Sequence, residues 1–125
     1  MYMIFNEAHR GLAMLSVLAT LVWAGMVLLS QAPSVPSGMR RVIYIVTMAS
    51  TGLVGISGIV VTFMASWYAM IFPWLGLVAV AAHGMAGVRS RKALAAGNKA
   101  FAIIAVLIQI ICLVAAYGIM TVKPF

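Results

Sequence analysis

The chain has 125 residues, of which 66% are apolar and 7% charged, and its mean hydropathy is +1.18. A soluble domain of this size would lack the polar surface needed to cover itself, so the composition requires lipid as the solvent. The net charge of +7 comes with no soluble face to present it, which argues against nucleic acid as a partner and leaves anionic lipid headgroups as the ordinary counterpart of the basic residues.

Hydropathy predicts four spans, at about 11–30, 42–65, 69–88 and 100–120, each near the roughly 20 residues that cross about 30 Å of hydrocarbon. The fold class is therefore all-α: an antiparallel four-helix transmembrane bundle, one integral membrane domain over residues 1–125. In the first span, Asn6 is expected to cap the helix, with Glu7 in its first turn where the helix dipole favours it. Ser30-Gln31-Ala32 resembles a small-residue cleavage site, but the apolar run before it is long for a signal-peptide core, so the span reads as a retained helix. Pro33, Pro36 and Gly38 mark a turn before Arg40, Arg41 and the second span. The connection to the third span, around Ser66-Trp67-Tyr68, is tighter, and its aromatics join Tyr2 and Tyr117 in an interfacial belt. Pro73 falls inside the third run, where it either kinks the helix or begins it after Phe72. A second basic stretch, with Arg89, Arg91, Lys92 and Lys99, separates the third span from the fourth.

With four spans, these two basic stretches share one side of the membrane and both termini share the other. Arg40, Arg41, Arg89, Arg91, Lys92 and Lys99 face only Arg10 and Lys123 on the opposite side. The positive-inside rule then places loops 31–41 and 89–99 in the cytoplasm and the termini on the periplasmic side of a bacterial cytoplasmic membrane.

Helical spacing selects an inward face on each span. The stripes are His9, Ala13, Ser16, Thr20, Trp23 and Val27 in the first, and Thr47, Thr51, Gly55, Gly58 and Thr62 in the second. The third offers Gly76, Ala79, His83 and Gly87, and the fourth Asn98, Ala102, Ala105, Gln109, Cys112 and Ala116. Small residues that let backbones approach, and polar side chains that bond across, are what hold helices together in lipid, so packing is the plain reading of all four.

Reactive constellations are excluded by what the sequence lacks. Glu7 is the one acidic residue, so there is no carboxylate pair, no carboxylate-oriented triad and no oxygen-rich metal cage. Cys112, alone and mid-span, reads as a structural thiol, and the ten methionines, scattered without paired spacing, read as gap-fillers rather than as metal ligands. Histidines within a membrane are functional candidates because burying an ionisable group there is costly. His9 lies at the start of the first span and His83 about five residues from the far end of the third. Their depths differ by about 14 residues, or roughly 21 Å at 1.5 Å per residue, so one copy of the chain cannot bind haem between both. His83, level with Trp23 and flanked by small residues, is the better single ligand or hydrogen-bonding partner for a cofactor.

Four segments taken together carry a family resemblance: His9 through Val22-Trp23-Ala24-Gly25, Met39-Arg40-Arg41, His83 through Arg89-Ser90-Arg91-Lys92 to Asn98, and the terminal Val122-Lys-Pro-Phe125. In order along most of the chain they resemble the HemJ-type protoporphyrinogen IX oxidases, small bacterial four-helix membrane proteins related more distantly to the CopD and SirB groups. In that family a first-span histidine and a Trp-Leu-His-x-Lys motif opening the third span carry the haem and porphyrin chemistry. His9 matches the first, whereas Trp67-Tyr-Ala-Met-Ile71 supplies neither the histidine nor the lysine of the second. The resemblance implies a shared bundle and a haem-accessible groove, but without the lysine of the oxidase. A chain that binds haem b or a porphyrin is expected to use His9 or His83, with Trp23 and Arg89 nearby.

Two functions are then expected. One is a noncatalytic accessory or scaffold subunit, docked against other integral membrane subunits of a larger, bioenergetic complex and stabilising its assembly, lipid or pigment. The other is a haem- or porphyrin-binding redox protein of the HemJ type. Neither metal-ligand nor pore-lining spacing points to copper transport or export.

Overall fold

The structure, a computed structural model, describes residues 2–29 and 37–122, without the side chain of Ser37. The turn expected at Pro33 and Pro36, the cleavage-like Ser30-Gln31-Ala32 and the terminal Lys123-Pro-Phe125 lie outside the described residues. Four α-helices follow one another: α1 (Tyr2–Leu28), α2 (Ser37–Met64), α3 (Phe72–Ala95) and α4 (Lys99–Val122), with no strand among the described residues. The hairpins α1/α2 and α3/α4 make the most extensive contacts, and α2/α3 and α1/α4 close the ring. The all-α, antiparallel four-helix bundle expected from hydropathy is the fold.

The helices extend beyond the predicted spans. α1 starts at Tyr2 rather than near Gly11, so Asn6 and Glu7 lie inside it, and Glu7 pairs with Arg10 at 3.2 Å on an exposed face instead of opening the helix. The first ten residues hold no glycine or proline to stop a helix. Arg40 and Arg41 belong to the opening of α2, while Arg89, Arg91 and Lys92 belong to the last turns of α3, leaving only residues 96–98 as the connection. Hydropathy marks where hydrocarbon ends, and a helix with a solvated end continues past that point.

Three helices, Tyr2–Leu28, Gly38–Met64 and Lys99–Val122, are long and apolar enough to cross a membrane. α3 was expected as a fourth span; its 24 residues give it the length, roughly 36 Å at 1.5 Å per residue. Its apolar character is diluted by Pro73, His83, Arg89 and glycines at 76, 84 and 87. Several of these face inward: Pro73, Gly76, His83 and Gly87 are all buried against the other helices. Pro73 occupies the first turn of α3, where its missing N–H costs nothing, so it begins the helix rather than kinking it.

The ends of α2 and α3 are closed in the same way. At α3, Asn98 N–H donates to Ala93 O at 2.8 Å and Gly97 N–H to Leu94 O at 3.1 Å, with Gly97 left-handed at φ 79°. At α2, Trp67 N–H donates to Thr62 O at 2.8 Å and Ser66 N–H to Phe63 O at 3.2 Å, and Ser66 takes φ 59°. Both are Schellman closures, but only Gly97 is the residue that suits the left-handed position. Ser66→Gly is therefore expected to stabilise the bundle and Gly97→Ala to destabilise it, each by about 1 kcal/mol, in paired thermal unfolding. Asn98, placed by spacing on the inward stripe of α4, is instead exposed and caps that helix, its Oδ1 accepting from Phe101 N–H at 3.2 Å.

The two ends of the bundle differ. At one end Tyr2 meets Trp67 edge-on with centroids 6.3 Å apart, Phe63 stacks on Tyr68 at 5.7 Å, and the Trp74 indole N–H donates to Tyr68 O at 3.0 Å. The other end carries the basic residues and the apolar core, where Trp23, Ala24 and Val27 of α1 pack with Ala93 of α3 and Ala102 and Val106 of α4.

Candidate functional site

Between these ends the interior is polar. Ser16, Thr20, Thr47, Ser50, Thr51, Thr62, His83, Ser90 and Gln109 are all buried, so every helix contributes at least one polar side chain to the interior. Removing such groups from water without a partner costs about 2–7 kcal/mol each, depending on the reference state, which explains why several are paired across helices. From the aromatic end inward, His9 Nδ1 bonds Ser57 Oγ at 2.8 Å, and Ser16 Oγ bonds Thr51 Oγ1 at 2.5 Å. One turn further, Thr20 Oγ1 bonds His83 Nε2 at 3.0 Å. Next, the Trp23 indole N–H donates to Ser90 Oγ at 3.0 Å, and the Ser90 hydroxyl donates to Gly87 O at 2.7 Å.

The bonds from Thr20 and Trp23 run diagonally from α1 to α3, which is why this centre is not visible as a contact between neighbours in sequence. Two further side chains close in on α3 at Gly87. A Cβ built there would stand 2.7 Å from both Gln109 Nε2 of α4 and Met48 Sδ of α2. Gly87 therefore lets α2 and α4, its two neighbours in the ring, both pack closely against α3. Toward the basic end, Tyr44 packs on Trp23 with centroids 5.3 Å apart, and the Arg91 guanidinium lies 4.8 Å from the Tyr44 ring centroid.

The four residues read from the sequence as cofactor-binding fall into separate places. His83 and Trp23 are both in the interior, one turn apart. His9 is half-buried at the aromatic end, its ring against Gly58, 3.2 Å from where a Cβ would stand. Arg89 is exposed and lines a recess of about 250 Å³ on the outer surface between Ala82 and Met85 of α3 and Phe101, Ile104 and Ile108 of α4. His83 sits at mid-helix rather than near a helix end, because α3 continues to Ala95. His9 is thus separated from the His83 level by the 11-residue step along α1 from His9 to Thr20, roughly 16 Å. That is less than the sequence alone suggests, yet still too far for one iron.

A haem does not fit this arrangement. His83 has 0% exposure and gives one ring nitrogen to Thr20, and the recess beside Arg89 is lined by neither histidine nor by Trp23. Among the described residues no three His, Cys, Asp or Glu side chains gather at metal-binding distance. The segment that opens α3, Phe72 to Val78, contains no histidine or lysine, and Trp67 to Ile71 forms the turn before it.

Sequence spacing identified Thr20, Trp23, Thr47, His83, Gly87 and Gln109 as inward-facing, and these make the centre. It missed Ser90 and Met48. Continuing the 83, 87 spacing by three residues reaches Ser90, but hydropathy had already ended the span there. Met48 carries no sequence signal, since its role depends on which helix stands opposite. Comparisons with protein-family models, with curated proteins and with solved structures find no match for this chain.

Proposed function

We propose that this small integral membrane protein is a noncatalytic accessory or scaffold subunit that packs against other membrane-embedded subunits of a larger complex. The observation that carries this reading is how its polar groups are used. The side chains that could react are turned inward and bonded to one another, His83 to Thr20, Ser16 to Thr51 and Trp23 to Ser90. The outward faces are lined instead by residues such as Leu18, Ile56, Val78, Ile111 and Val114, all exposed. A surface of that kind has lipid tails and apolar helices as its partners, and offers no group for chemistry.

The basic residues support an orientation. Arg40 and Arg41 open α2, and Arg89, Arg91, Lys92 and Lys99 surround the α3–α4 connection at the same end of the bundle. By the positive-inside rule that end faces the cytoplasm of a bacterial cell, against anionic headgroups. The scaffold reading includes the HemJ-type likeness: an antiparallel four-helix bundle with His9 toward the outer end of α1, lacking the histidine and lysine that would open α3.

Native mass spectrometry of the gently solubilised membrane, joined to an absorption spectrum, tests the proposal. The chain is expected within a larger assembly and without a Soret band of its own. A chain that runs alone, or one with a stoichiometric Soret band that His83→Ala abolishes, would overturn it.

A further inference from the structure

We propose that the bundle centre is a binding site for one water molecule, held between Thr47, His83 and Gln109. Three buried side chains there keep polar atoms with no hydrogen-bond partner among the described residues: Thr47 Oγ1, His83 Nδ1, and both Gln109 Oε1 and Gln109 Nε2. The exposure of these residues is 1%, 0% and 0% respectively, and they come from α2, α3 and α4.

The neighbouring bonds bring Thr47 and His83 to one level, with the Gln109 amide about one turn away. Thr51 bonds Ser16 and His83 bonds Thr20, and Thr47 and Thr20 each lie one turn further toward the basic end from those α1–α2 partners, so Thr47, Thr20 and His83 share a layer. Gln109 reaches Gly87, four residues along α3 from His83, or roughly 6 Å. Groups at that separation can be spanned by a single bridging molecule.

Donor and acceptor chemistry selects the ligand. Gln109 presents an N–H donor beside its carbonyl acceptor, while the Thr47 hydroxyl and His83 Nδ1 can each take either role. A cation would meet the Gln109 amide N–H, and the interior has no carboxylate to hold it, whereas a water molecule both donates and accepts and makes two to four such bonds. Gly87, without a side chain, lets the Gln109 amide close against α3 beside this layer: a Cβ there would stand 2.7 Å from Gln109 Nε2. In hydrocarbon, where nothing else can satisfy these atoms, a bridging water does so at little entropic cost.

The test is water-edited solid-state NMR on the isotope-labelled full chain in phosphatidylcholine–phosphatidylglycerol vesicles. The His83 ring and the Gln109 side-chain amide are expected to receive magnetisation from water, while Ala105 and Val106, buried on the same helix as Gln109, do not. A dry His83 ring and Gln109 amide would overturn the site. Thr47→Val keeps the shape and removes one partner, so it is expected to weaken both water peaks with the rest of the spectrum in place; unchanged peaks count against the assignment. Gln109→Leu separates the cases by stability. A bridged amide is lost at the expense of Tm, by about 4 °C, whereas removing an amide left unpaired in a dry core raises Tm, and a rise contradicts the proposal.

Discussion

Trp23→Ala is expected to lower the stability of the bundle by about 3–5 kcal/mol, the range for deleting a large buried aromatic. Trp23 is 1% exposed and joins α1 to α3 and α4 through the apolar core and to α2 through Tyr44. Its indole N–H also donates to Ser90. Truncation leaves a cavity where three helices meet and removes the ring against which Tyr44, and through it Arg91, is placed. Trp23→Phe divides the effect: most of the packing survives and the bond to Ser90 does not. Because Ser90 still donates to Gly87 O, that bond alone accounts for about 1 kcal/mol. Thermal or denaturant unfolding in detergent micelles, followed by circular dichroism, measures both. Val22→Ala is the control, since Val22 is adjacent in sequence but exposed; equal losses at 22 and 23 would contradict the placement of the core.

Ile111→Asp is the second large effect, and it acts on the environment rather than on packing. Ile111 lies at mid-α4 and is 65% exposed. On the surface of a soluble protein an aspartate there would be harmless or helpful. Facing hydrocarbon near the centre of a span, it is expected to cost about 2.5–3.5 kcal/mol and to reduce the membrane-inserted fraction accordingly. Thr121→Asp, at the exposed end of the same helix, should insert almost normally. The inserted fraction after alkaline extraction gives the comparison, and equal insertion of the two variants would count against a lipid-facing α4.

The sequence made the bundle and most of its inward faces legible because apolarity and the 3.6-residue period are local properties. Thr20, Trp23, His83 and Gln109 follow from them directly. Helix ends do not: Asn6 and Glu7 look like a helix start, and Arg89 to Lys92 like a loop, only while the hydrocarbon boundary is taken for the helix boundary. Asn98 fits the spacing of the α4 stripe, but its side chain bonds the first turn of that helix, which local periodicity cannot distinguish from facing the core. The centre was least legible. That Met48 and Gln109 both lie against Gly87, and that Thr20 reaches His83, depends on which helices stand beside and diagonally opposite each other, and this is set by packing of the whole ring. The same geometry joins His83 to Thr20.

The central claim is that lipid surrounds the outward faces while the polar residues are sealed within. Collision accessibility of spin labels tests it most directly, with single cysteines at Leu18, Ile56, Val78 and Ile111 in a Cys112→Ser background, reconstituted in vesicles. All four positions are exposed. The account predicts that oxygen, which concentrates in hydrocarbon, relaxes each label while a water-soluble nickel complex does not. Labels at these positions reached by nickel and not by oxygen would contradict it.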